Sequence, residues 1–455
     1  MRFAARGSLH QIAMVQSGRL IGGTIMRPGD RGMKSIIETI ITNSGLWDGE
    51  RAETHRFLTT PDLFPLSVEQ VRDLRLLGVA LTECLEGASR IAAIAKSGEL
   101  GRGLAWRELQ EFSVMQVEKA YRPLQVARPK QIPRIVKADF VEGEDGRLWL
   151  VEIDAMNRRG MGYTTLLSDI RRTVKPEAKA FPGVSPLLAA EVKRRNVDRL
   201  VFLYAHKERF YLPEFEILKR ALRVEGVELV IADELDMKIE NGRIFVNGAE
   251  EPSRLFINFL VIAKNAPLLT ALSAMYLAGE VQFLIPPKPF LGSKALGGIL
   301  RNDDGNEVLE AILRSQIDGA ALDTVRRHTP ETFFVGRHRE LPEIDSNHPW
   351  VLKEAIASGA KGVVFSTDDG FSSALAAAKK ADGRYVLQRE VEGKKRYFRY
   401  YLPGSDDLTA AGRWYTRLVV YFIAGIPADV GVTGCQTKLV HGGKDAILMG
   451  AMIDE

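Results

Sequence analysis

Three carboxylates, Asp139, Glu152 and Asp154, lie in one short stretch, Lys-Ala-Asp-Phe-Val-Glu-Gly-Glu-Asp-Gly-Arg-Leu-Trp-Leu-Val-Glu-Ile-Asp, residues 137–154. Two alternating runs flank Asp145-Gly146, a dipeptide favoured in tight hairpins. With those two residues as the loop, Asp139 sits opposite Glu152, and Asp154 follows on the same face. Ala138, Phe140, Trp149, Val151 and Ile153 then form the face expected to pack on a core. Facing side chains are about 5 Å apart. Two carboxylates at that distance repel by about 3 kcal/mol at an effective dielectric of about 20. Such a group of acids predicts a cation, and all-oxygen ligands suit magnesium. The competing reading is an exposed ribbon with an ordinary acidic face, since Lys137 falls opposite Asp154 and pairs one charge within the chain.

A second constellation lies downstream. Trp350-Val-Leu-Lys353 reads as a short apolar strand ending in lysine, followed by a loop holding Gly359 and Gly362. A strand-borne lysine facing a glycine loop suits phosphate: the lysine supplies a point charge, and glycines let backbone amides approach the oxygens. The alternative is a surface lysine at a strand end. No Walker loop is present, and Gly292-Ser-Lys294 lacks the upstream glycine. Tyr385-Val-Leu-Gln-Arg-Glu-Val391 is an apolar strand turning polar at Gln388 and Glu390. It suits either an adenine edge, with Gln388, Glu390 and Val391 beside the base, or an alternating edge strand.

The elements that must position these residues are legible in outline. The chain has 455 residues, 45% hydrophobic and 26% charged, which predicts a multidomain globular protein with a large core. The expected units are residues 1–130, mostly helical; 131–194, carrying the acidic hairpin; 195–286, an α/β unit; and 287–455, the lysine and glycine-loop region with the remaining core. Leu66 to Ala95 shows helical spacing at Val68, Val71, Leu74, Leu77, Val79, Leu81 and Leu85, with Ser67 and Gln70 forming a capping box. Runs at 200–205, 228–232, 254–259 and 282–285 read as strands, with helices at 213–224 and 267–278 between them. That alternation implies a parallel sheet with covered faces, and it carries no Gly-x-Gly-x-x-Gly for a dinucleotide. Arg413 and Arg417 read as a helical pair facing solvent.

Other classes are excluded or disfavoured. Two cysteines, Cys84 and Cys435, make no Cys-x-x-Cys, and the seven histidines make no His-Glu-x-x-His. A net charge of +4 is small for this length and does not point to nucleic acid. The sequence shows no signal peptide and no apolar run long enough to span a bilayer, so the expectation is a cytoplasmic enzyme without a membrane partner. A homodimer is compatible with these features.

The order of these motifs resembles the ATP-grasp fold. Lys294, Lys353 with its glycines and the 388–391 hinge are similar to that fold's ATP-binding half, and Asp139 with Glu152-Ile-Asp154 is similar to its magnesium site. The acids precede the lysines, which resembles the circularly permuted branch containing glutathionylspermidine synthase and eukaryotic glutathione synthetase. The resemblance covers roughly residues 131–440. Asp154 departs from it, standing where the family usually has Asn. Nothing resembles the amidase domain of some family members, and residues 1–130 match no known pattern. The resemblance implies an α/β and α+β multidomain fold with a parallel-sheet substrate domain. It implies ATP and Mg2+ as cofactors and small-molecule carboxylate and amine substrates. ATP would activate the carboxylate as an acylphosphate, with ADP and phosphate released. Asp139, Glu152 and Asp154 would hold the metal, Lys294 and Lys353 the phosphates, and Gly359 and Gly362 a lid. Arg158 or Arg159 would grip the substrate carboxylate or the migrating phosphoryl group. Two rival functions stay open: a non-catalytic ATP-binding module, and a small-molecule kinase using the same site.

Overall fold

The computed structural model describes residues 30–48, 56–98, 103–114, 121–156, 159–259, 265–336, 340–344, 348–357, 362–381, 384–402, 408–442 and 445–454. A seven-stranded sheet gathers strands from distant parts of the chain. Its order is Phe64–Ser67, Ile447–Asp454, Ile426–Cys435, Leu408–Ile423, Ile135–Glu142 and Leu148–Asp154. Arg396–Tyr401 pairs with the early half of the Leu408–Ile423 strand, and Ile135–Glu142 pairs with its later half. One continuous 16-residue strand thus ties the hairpin to the end of the chain.

The helix Val68–Ser97 packs across one face of this sheet. Its turns place Leu74, Leu77, Leu81 and Leu85 at 0–1% exposure against Phe140, Leu418 and Val420, which are fully buried. Truncating one such leucine costs about 2–5 kcal/mol. Val68 and Val79, expected on the same stripe, face solvent instead. Ser67 caps the helix by accepting from Gln70 N at 3.1 Å, and Gln70 Oε1 accepts from Ser67 N at 3.0 Å. Gln70 Nε2 then donates to Gly146 O at 2.8 Å, so the capping residue also holds the hairpin loop.

The alternating middle segment forms a four-stranded sheet, ordered Gln282–Ile285, Leu255–Asn258, Arg199–Tyr204 and Glu228–Asp233, with every pairing parallel. Apolar runs such as Val201, Phe202 and Leu203 are fully buried, because helices cover both faces. A small meander, Met237–Glu240, Arg243–Val246 and Ala249–Glu251, extends from it. A further antiparallel sheet, ordered Thr332–Val335, Tyr385–Arg389, Trp350–Glu354 and Val363–Phe365, carries Lys353 and Gln388. Among the described residues, no helix is long and apolar enough to cross a membrane.

Candidate active site

The acidic hairpin pairs Lys137 with Asp154, Ala138 with Ile153 and Asp139 with Glu152, the register its sequence implies. Beyond Asp139 the pairing shifts by one: Phe140 faces Leu150 and Glu142 faces Leu148. Val151 is the extra residue of a β-bulge. The turn is longer than two residues, with Gly143 N donating to Arg147 O at 2.9 Å and Gly146 N to Gly143 O at 2.8 Å. This corrects the expected core face. Leu148 and Leu150 are buried at 2% and 1%, whereas Trp149 and Val151 are only half-buried, because the bulge reverses the alternation. Trp149 instead lies under the Arg147 guanidinium, 4.9 Å from its ring centre.

The three carboxylates do not converge as a ligand set. Among the described residues, no three acids, histidines or cysteines are grouped to hold a metal ion. Each of two acids draws a cation from the chain. Lys137 Nζ lies 2.6 Å from Asp139 Oδ1, in ion-pair contact. Arg417 Nη1 lies 3.5 Å from Asp139 Oδ2. Burial alone would push the Asp139 carboxyl up, but Lys137 and then Arg417 outweigh it and hold it below the usual range. Burial alone would likewise push the Lys137 ammonium down, yet Asp139, Asp154 and Glu152 raise it. Glu152 Oε1 sits 3.1 Å from Lys294 Nζ, which also donates to Ala357 O at 2.6 Å. Asp154 Oδ1 accepts from Met156 N at 3.2 Å. As arranged, with Asp139 taken by two cations, the donor set does not fit magnesium.

Arg417 had no place in the expected site. Leu408–Ile423 is a strand, not a helix, so Arg417 shares the Asp139 face while Arg413 is exposed and donates to Tyr397 Oη at 2.8 Å. The alternation of aromatic and β-branched residues from Trp414 to Ile423 was the available signal.

Lys353 is half-buried on the strand Trp350–Glu354. Its Nζ donates to Gln388 Oε1 at 2.5 Å and to Val151 O at 3.2 Å. Burial pushes the ammonium down to about 8, with Glu152 opposing and Lys294 reinforcing the shift. Lys294 and Lys353 therefore come together around Glu152, and among the described residues Lys353 makes no ion pair. Gln388 is fixed in turn by donating to Thr332 Oγ1 at 3.1 Å.

Gly362 has φ +68°, and its carbonyl accepts from Glu354 N at 3.0 Å; Gly359 lies outside the described residues. Glu390 pairs with Lys438 at 2.7 Å rather than with the lysines above. Glu390 and Val391, with Arg147, Trp149 and Arg389, line a cavity of about 550 Å³ at the hairpin loop. None of Lys294, Lys353, Asp139, Glu152 and Asp154 lines it, so this cavity and the charged cluster are separate. Arg158 lies outside the described residues. Arg159 donates to Tyr211 Oη at 3.2 Å, and its carbonyl accepts from Tyr421 Oη at 2.6 Å. Gly160, with φ +96°, makes room for that tyrosine, since a Cβ there would run into Tyr421 Oη.

No family model and no curated protein matches this chain. Among solved structures it is similar to a glutathione synthetase-like effector from Globodera pallida in its apo form. The TM-score is 0.59 at 11% identity, over 93% of this chain and 96% of that chain. A putative gamma-glutamylcysteine synthetase from Methylobacillus flagellatus gives 0.34 at 12% identity, over 77% of this chain and 82% of that one. A D-alanyl-alanine synthetase A from Vibrio cholerae gives 0.26 at 11% identity, over 49% and 67%. The first extends over nearly the whole of both chains, and the fold of this protein is mixed α/β and ATP-grasp-like.

Proposed function

We propose that this chain binds ATP and uses it to join a carboxylate to an amine, as a ligase of the circularly permuted ATP-grasp type. The observation that carries this reading is the convergence of Lys294 and Lys353, from separate elements, beside Glu152 and Gln388. Two ammonium groups close enough to act on one another suit the distal phosphates of a nucleotide. The acid-bearing hairpin precedes both lysines in the chain yet shares a sheet with the last strand, which favours the permuted order. The parallel sheet is the natural place for the second substrate.

The substrate carboxylate would attack the γ-phosphorus as the bond to the β-phosphate oxygen breaks, leaving ADP. The amine would then attack the acyl carbon, lose a proton and expel phosphate. Lys353 and Lys294 would neutralise charge on the phosphates, and Arg159, braced by Tyr211, would orient the carboxylate. The acids of this hairpin, with Asp139 ion-paired to Lys137 and Arg417, do not fit magnesium.

One observation favours the second reading, a nucleotide-binding module without catalysis: Asp139 is neutralised within the chain by Lys137 and Arg417. The discriminating experiment incubates the protein with ATP, magnesium and pools of amino acids, small peptides and polyamines. ADP, phosphate and a new amide mass in equal amounts support the ligase. AMP with pyrophosphate refutes it, a stable phosphorylated acceptor indicates a kinase, and binding without turnover indicates the module.

A further inference from the structure

The cluster of charged groups on the hairpin face has an unusual balance. Lys137, Lys294, Lys353 and Arg417 set four positive charges against the three of Asp139, Glu152 and Asp154. A metal site built on this face would need its acids to be free for the cation. Instead Lys137 stands between two of them: it touches Asp139 at 2.6 Å on its own strand and faces Asp154 across the pair. This placement follows from the strand period, because residues two apart share a face. Arg417 reaches the other oxygen of Asp139 from the neighbouring strand. Asp139 is 3% exposed, so its charge could not persist in the fold without these partners. The face has a surplus of positive charge from its own side chains, and a polyphosphate needs no further cation to settle there.

We propose that Lys137 is a resident counter-ion: its ammonium takes the place of a divalent cation between Asp139 and Asp154, so that this site binds a nucleoside triphosphate without metal. The proposal rests on the nucleotide-binding reading above and adds to it the ionic form of the ligand. It also accounts for Asp154, where a second negative charge beside a lysine balances what a neutral amide would leave unpaired.

Calorimetric titration of the full chain with ATP, in excess chelator and again with millimolar magnesium, tests both claims separately. The wild type should bind in chelator, with affinity within about threefold of that in magnesium. Lys137→Gln should bind about tenfold or more weakly in chelator and recover in magnesium, because Asp139 and Asp154 then repel the phosphates until a metal joins them. Lys137→Gln leaves a buried carboxylate with fewer partners, so its fold is checked by thermal melting. The double variant Lys137→Gln/Asp139→Asn removes both charges and should bind in chelator about as well as the wild type. Wild-type binding that disappears in chelator would overturn the counter-ion while keeping the nucleotide site. Binding by Lys137→Gln that is equal in both conditions would overturn it too. No binding by the wild type in either condition would overturn the nucleotide reading and this proposal together.

Discussion

Lys353 Nζ donates to the carbonyl of Val151, a residue 202 positions earlier in the chain, at 3.2 Å. The bulge makes this contact available: Val151 has no partner across the hairpin, so its carbonyl is turned out of the ladder and toward the lysine. A local irregularity in one sheet thereby aims a cation carried by another. Gln388 completes the anchor at 2.5 Å, leaving the remaining donor capacity of Lys353 for a ligand.

Removing that cation tests the phosphate assignment. Lys353→Met should weaken ATP binding by about 1.5–3 kcal/mol, the range for a charge-assisted hydrogen bond. The fold should hold or gain slightly, since a half-buried ammonium without an ion pair is replaced by an apolar group of similar length. Calorimetry and a thermal melt measure the two effects, and unchanged affinity would return Lys353 to a structural role.

Glu152 is a negative charge 3.1 Å from a lysine assigned to phosphate. Glu152→Gln should tighten metal-free ATP binding about tenfold or more, on the order of 2 kcal/mol for charges about 8 Å apart at an effective dielectric of about 20. Lys294 keeps its bond to Ala357 O in that variant. Weaker binding in chelator would mean that Glu152 serves chiefly to position Lys294.

Asp429 offers a pH test away from the site. It is buried, accepts hydrogen bonds from Ser168 Oγ and Val430 N, and its carboxyl is pushed up to about 6, by burial first, against those bonds and Arg171. A carboxylate raised in the folded state favours folding only while protonated, so its contribution is lost as pH rises from about 4 to about 6. Asp429→Asn should therefore stabilise the protein at pH above about 7, on the order of 3 kcal/mol, and have little effect near pH 4. Melts across this range decide it; an advantage that does not grow with pH would contradict the assigned shift.

Gly160→Ala should destabilise the chain by about 1–3 kcal/mol, because φ is +96° and the added methyl runs into Tyr421 Oη. Tyr421→Phe, which loses only the hydrogen bond to Arg159 O, should cost about 1 kcal/mol. If Arg159 binds the substrate carboxylate, both variants should raise KM for that substrate more than for ATP. Equal effects on the two KM values would remove Arg159 from the substrate site.

Patterns that depend on neighbours along the chain are legible in the sequence itself. Helix Val68–Ser97, with its Ser67–Gln70 cap, follows from apolar spacing and a three-residue signature. The strands at Arg199–Tyr204, Glu228–Asp233 and Gln282–Ile285 follow from short apolar runs. The pairing of Asp139 with Glu152 matches the alternation in the sequence, because the longer turn and the bulge at Val151 offset one another. Tertiary structure decided the rest. The bulge at Val151 is set by how Leu148 and Leu150 reach the core under the helix, a constraint that local alternation does not carry. Arg417 is a strand residue because it lies in a long ladder paired on both sides, and a run of mixed aromatic and β-branched residues fits helix and strand alike until those partners exist. The meeting of Lys137, Lys294, Lys353 and Arg417 around three acids joins positions up to 280 residues apart. Side-chain charge is written in the sequence, but which charges neutralise one another depends on distances that only the packed sheets impose.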